Sequence, residues 1–104
     1  MAYGFGGFGG QNMQQLMRQA QKMQEDMKRI REEIDATEYK SCVGGGMVEV
    51  TMLGNKTLKA VRIKPEVVDP EDVEMLEDLV VSAVNDCMAK ISADEQEKLP
   101  NIGI

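Results

Sequence analysis

The stretch CVGGGMVEV, residues 42–50, sets three consecutive glycines against an alternating apolar run. A phosphate-binding loop needs its glycines between a strand and a helix, where free helical amides point at the phosphate, with a lysine and a hydroxyl close behind. Here the glycines lead into a strand pattern and neither group follows directly. A dinucleotide fingerprint fails too, because there is no room for a parallel βαβ unit. The stretch therefore reads as a chain reversal needing positive φ or close backbone approach. It is a bend between two antiparallel strands.

Outward from the bend, the strands are legible on both sides. Tyr39, Ser41 and Val43 alternate with Lys40 and Cys42, and Val48, Val50 and Met52 line one face of the next run. Gly54-Asn55 is compatible with a type II′ hairpin. It leads to a return strand over residues 57–64, with Val61 and Ile63 on one side. Three antiparallel strands joined by tight turns follow.

Helices flank them. Met13, Leu16, Ala20, Met23, Met27, Ile30 and Ile34 keep spacings of three and four, a heptad seam with no Gly or Pro until Gly44. One helix is expected from about Gln11 to Ala36, too long for a small sheet to cover, so part of its seam is expected to meet another chain. After Pro65, the run Asp69-Pro70-Glu71-Asp72 opens a second helix expected to about Ser92. Val73, Leu76, Val80, Ala83, Cys87 and Ile91 form its inner stripe. The fold class is α+β, in the order α-β-β-β-α. Residues 1–10 read as a flexible Gly/Phe-rich arm, 11–92 as the domain and 93–104 as a short acidic C-terminal tail.

Composition narrows the chemistry. There is no His among 104 residues, which removes the commonest general base and the commonest metal ligand. Cys42 and Cys87 lack a CxxC spacing and read as small buried hydrophobes in a reducing cytoplasm. The methionines of the seam read as adaptable packing rather than a soft-metal site. The acids at Asp69, Glu71, Asp72, Glu74, Glu77 and Asp78 match no calcium loop. No enzyme constellation, metal, cofactor or small-molecule substrate is expected. No window approaches the ~20 apolar residues of a membrane span, and the first residues lack the pattern of a signal peptide.

Charge is unevenly spread. The net charge is −6, with −1 over residues 1–38, +4 over 39–64 and −9 over 65–104. Arg18, Lys22, Lys28, Arg29 and Arg31 lie off the apolar seam of the first helix. Singly they read as a solvated face; in a dimer, two such stripes would suit a phosphate backbone without reading bases.

Three segments, MQEDMKRIREEI, GGGMVEVT and PEVVDPEDVEMLEDLVVSAVNDC, together resemble the YbaB/EbfC family of bacterial nucleoid-associated proteins over about residues 13–91. The resemblance implies a tweezer-like homodimer, a three-stranded antiparallel sheet flanked by two long helices in each protomer, and no catalysis. It implies binding of double-stranded DNA with little sequence specificity, altering its conformation and affecting nucleoid organisation and gene expression, in the cytoplasm and nucleoid. Its attribution of DNA contacts to the outer helices carries over to Arg18, Lys22, Lys28, Arg29 and Arg31, and more weakly to Lys90. Pairing through the sheet region, with the helical seam, places Met23, Met27, Ile30, Val48 and Val50 at the dimer interface. The hairpin LGNKTLKAV departs from the family's usual turn, which is expected to change the loop and not the fold. A rival reading is a non-enzymatic interaction adaptor in DNA repair or replication, whose acidic second helix docks a basic partner.

Overall fold

A computed structural model describes residues 2–99, with side chains from Asn12 onward. The elements run α1 (Ala2–Ala36), β1 (Glu38–Val43), β2 (Val48–Leu53), β3 (Leu58–Ile63), a 3-10 turn (Pro65–Val67) and α2 (Val73–Lys98). The strands form one antiparallel sheet in the order β1-β2-β3. This is the α-β-β-β-α architecture expected from the sequence.

The helices are longer than the sequence suggested. α1 starts at Ala2, so helical backbone runs through the Gly/Phe stretch expected as an arm, whose side chains lie outside the described residues. A nucleus of good helix formers propagates by one hydrogen bond per added residue, which works against the glycine cost. α2 likewise continues past Ser92, because Ser92–Lys98 contains no Gly or Pro and Lys98 suits the negative end of the helix dipole. The last part of the expected acidic tail, residues 100–104, lies outside the described residues. At its start, α2 is capped by Asp72, which accepts from Met75 N at 3.3 Å. Asp69 instead accepts from Glu71 N at 2.9 Å, an Asx turn ahead of the helix.

The β1–β2 bend behaves as its glycines require. Gly44, Gly45 and Gly46 all take positive φ, at 62, 67 and 87°, where a side chain is strained. The β2–β3 turn differs from the expected type II′ hairpin. Its positive φ falls on Lys56, at 70°, and not on Gly54. Gly54 serves a different need: a Cβ there would stand 1.8 Å from the carbonyl oxygen of Ile34. Its amide donates to Thr37 O at 3.0 Å, so the hairpin is pressed against the end of α1. The pairing then slips between Thr51 and Met52, which face Ala60 and Leu58, so Lys59 is the extra residue of a bulge in β3.

α2 packs across β1 and β2. Val48, Val50, Met52, Ala83, Cys87 and Ile91 form the core, with Val67 of the 3-10 turn closing one end. Each fully buried Val or Ile contributes about 1.5–3 kcal/mol relative to exposure. Cys87 acts as a small apolar filler whose thiol faces Val50 O at 3.4 Å. The flank of α2 over β1 is fixed by Asp86, which accepts from the buried Ser41 hydroxyl at 2.6 Å, and by Leu79 against Gly44. α1 buries only Ile34 among its described residues. The rest of it projects from the body, giving the molecule extents of 81 × 21 × 17 Å.

Candidate nucleic-acid interface

The projecting helix has two dissimilar faces. Its seam leaves Met13, Leu16 and Met23 more than half exposed. Arg18, Lys22, Lys28 and Arg29 occupy positions off that seam and are exposed. The three- and four-residue spacings of the seam follow from the 3.6-residue turn: the apolar positions take one stripe, and these basic residues fall away from it.

The basic residues expected to act together are not equivalent. Among the described residues, no ion pair engages Arg18, Lys22 or Lys28. Arg29 is shared with its own helix, lying 3.3 Å from Asp26 and 3.9 Å from Glu33. Arg31 is committed elsewhere. Its Nη2 is 2.8 Å from Asp35 and its Nη1 is 2.7 Å from Glu95 on α2. These partners, Glu95 first, hold its guanidinium charge even more firmly than usual. The periodicity of α1 put Arg31 with the others, but its partner lies 64 residues along the chain, and no local signal carries that. Lys90 is also occupied, donating to Lys40 O at 2.7 Å and lying 3.7 Å from Asp86.

Electrostatics divide the helix lengthwise. The first acidic residue of the chain is Glu25, so Arg18 and Lys22 sit on a stretch with no negative side chain. From Glu25 to the root, acids outnumber bases. The uncompensated positive charge of α1 therefore lies toward its projecting half. The positive end of the helix dipole lies there as well, and no acid stands in its first turn.

The residues expected at a dimer interface also separate. Met23, Met27 and Ile30 line a shallow groove with Gln19, Lys22, Asp26 and Lys98, at the junction of α1 with the end of α2. Val48 and Val50 are fully buried inside a single protomer. They cannot face a partner, because α2 already covers β2. The alternation revealed which face was apolar but not which strand the helix would cover. The uncovered strand is β3, all six residues of which are exposed. Val61 pairs with Val50 and Ile63 with Val48, so both continue the core face of the sheet beyond α2, and Leu58 joins them at 47% exposure. On α2, the flank away from β1 exposes Val81 and Met88.

The opposite, helix-free face of the sheet is polar. Glu38, Lys40, Glu49, Thr51, Lys59 and Arg62 line one depression there. Lys59 is ion-paired with Glu38, and the Cys42 thiol donates to Glu49 at 3.4 Å. Among the described residues, no group of three or more His, Cys, Asp or Glu side chains is placed to hold a metal. No described helix is long and apolar enough to cross a membrane.

Known proteins share this sequence and shape. A nucleoid-associated protein of Clostridium botulinum (strain Eklund 17B / Type B) is 51% identical over 94 residues, covering 90% of this chain and 83% of its own. One from Acetivibrio thermocellus is 53% identical over 92 residues, covering 88% and 79%. The crystal structure of the uncharacterized protein HP0035 from Helicobacter pylori superposes with a TM-score of 0.68 at 26% identity, over 81% of this chain and 88% of that one. The model of the YbaB/EbfC DNA-binding family matches residues 9–103, which takes in both helices, the sheet and the glycine bend: the chain belongs to the YbaB/EbfC DNA-binding family.

Proposed function

We propose that two copies of this chain pair through their sheet regions and hold double-stranded DNA with their projecting α1 helices. The observation that carries this reading is the placement of Arg18 and Lys22, exposed and without an ion pair among the described residues, on an acid-free half-helix standing off an acidic body. Lys28 extends the same surface toward the root. Such residues meet phosphate oxygens and not base edges, so sequence specificity is low and salt dependence high. The −9 charge of residues 65–104 works against DNA contact by the body and confines it to the arms. The protein then acts as a nucleoid-associated protein in the cytoplasm, altering DNA conformation and through it nucleoid organisation and gene expression.

Pairing would use β3, not Val48 and Val50. An edge strand with open backbone groups and an uncovered apolar row is a ready surface for a second copy. Met23, Met27 and Ile30 would extend the contact along the root of α1.

A salt titration on random duplex DNA tests the DNA reading. Arg18→Glu/Lys22→Glu/Lys28→Glu is expected to abolish most binding and to flatten the slope of log affinity against log salt by about one per lost phosphate contact. Unchanged binding by that variant would sink the reading. The exposed acids of α2 then become the surface of interest, as in an adaptor docking a basic partner, and a partner that survives nuclease treatment would identify it.

A further inference from the structure

α1 is a lever with a short mount. Among its described residues only Ile34 is fully buried, with Asp26, Met27 and Ile30 partly covered beside the end of α2, so the direction of the whole arm is decided over its last turns, where Arg31 and Ile34 make the specific contacts. Two separate contacts are made there. Ile34 and Thr37 press against Gly54 of the β2–β3 turn, Gly54 N donating to Thr37 O at 3.0 Å. One turn earlier, Arg31 reaches Glu95 on α2 at 2.7 Å. A single contact leaves a pivot, whereas two contacts on different elements fix a direction.

The second contact is prepared on both sides. Asp35, four residues on, receives Nε of Arg31 at 2.9 Å and Nη2 at 2.8 Å. That turns the guanidinium so that Nη1 faces α2, an arrangement only the planar fork of arginine gives. On α2, the neighbouring Asp94 accepts from the Tyr39 hydroxyl at 2.5 Å and lies 3.3 Å from Lys98. The turn that carries Glu95 is therefore tied to β1. Arm, sheet and second helix meet in one polar junction.

We infer that Arg31 is a positioning residue, not a phosphate contact: its clamp on Glu95 fixes the direction of α1 and so where Arg18 and Lys22 lie. This rests on the DNA reading of the arms given above. At 1.5 Å per residue, a ~10° swing at the root moves Arg18 by roughly 3 Å, comparable with the ~3.4 Å step along one DNA strand. A small loosening of the clamp thus shifts the phosphate-binding residues by about one nucleotide.

Double electron–electron resonance on the full-length protein reads the clamp directly. Nitroxides go on the exposed Cys42 and on Gln14→Cys, Cys87 being buried, with labelled protein diluted into unlabelled so that each pair lies within one chain. Glu95→Ala keeps a good helix former in α2 and removes one negative charge. Its distance distribution is expected to broaden by up to about 4 Å, the full displacement of residue 14 in a ~10° swing, reached when the swing lies along the line between the labels. Affinity for random duplex DNA is expected to fall about threefold, as the fraction of arms in the competent direction falls. Charge alone predicts the opposite, since removing an acid strengthens binding to a polyanion. Arg31→Lys, which keeps the charge but loses the fork, is expected to broaden the distribution as well. An unchanged distribution in both variants overturns the proposal. Broadening with unaltered DNA affinity upholds the clamp and overturns the arm-based DNA reading instead.

Discussion

Gly54 and Ile34 are so close that the position of a β-carbon on the glycine would lie 1.8 Å from the carbonyl oxygen of the isoleucine. The sheet and the long helix therefore meet backbone to backbone at this point, and no flexible side chain separates them. Gly54→Ala must push β2–β3 and α1 apart, lifting Ile34 out of its buried site. The expected loss is roughly 3 kcal/mol or more in chemical denaturation at fixed protein concentration. A loss below about 1 kcal/mol would show that the contact yields cheaply.

The β3 edge gives a second test. Val61 is 38% exposed in the isolated protomer, so a charge there is tolerated by the fold but not by an apolar contact between chains. Under the pairing proposed above, the wild type is expected to scatter as a dimer and Val61→Glu as a folded monomer at the same concentration. A dimer that persists with β3 altered in this way must be built on another surface.

The Tyr39–Asp94 hydrogen bond ties stability to pH at both extremes. Burial, reinforced by the Asp94 carboxylate, pushes the Tyr39 hydroxyl up from 10.0 to about 12. Its contribution is complete below pH ~10 and is lost as pH rises through about 12. At the acid end, the Tyr39 hydroxyl and then Lys98 hold Asp94 below its ordinary value of 3.8, so that contribution is present above that value and lost as pH falls beneath it. The stability difference between wild type and Tyr39→Phe should accordingly be greatest on the plateau between and shrink towards both ends. A difference independent of pH is incompatible with this hydrogen bond.

The two thiols should differ in reactivity. Cys42 is exposed and Cys87 buried, so a thiol reagent is expected to modify one group per native chain and two after unfolding. Cys42 is slowed, though not blocked, because its hydrogen bond to Glu49 pushes the thiol up and lowers the thiolate fraction. Glu49→Gln should quicken labelling at neutral pH. Equal rates in the two proteins would mean that the Glu49 contact does not govern the thiol.

What could be read in the sequence was set by local periodicity. The seam of α1, the alternation of β1 and β2 and the glycines at positive φ all follow from spacings within a few residues, and each is found as expected. What local spacing does not carry is decided by a distant segment. The pair Gly54-Asn55 suggests turn conformation, but the carbonyl of Ile34, on another element, is what requires a glycine; Lys56 takes the left-handed position. The resemblance implies pairing through the sheet and so puts Val48 and Val50 at an interface, while the alternation of β2 does not say that α2 will bury them. Arg31 shares its helix pattern with Arg18 and Lys22, and only the fold brings Glu95 to it.

A helix that leaves its body after one buried residue also changes how the molecule moves through solvent. The protomer has a radius of gyration of 22.9 Å, against about 13 Å for a compact chain of this length. In tumbling it sweeps roughly five times the volume of a compact equivalent. Gel filtration calibrated on globular standards will therefore assign this 11.5 kDa chain an inflated mass even as a monomer. Its rotational diffusion is strongly anisotropic, slow end over end and fast about the long axis.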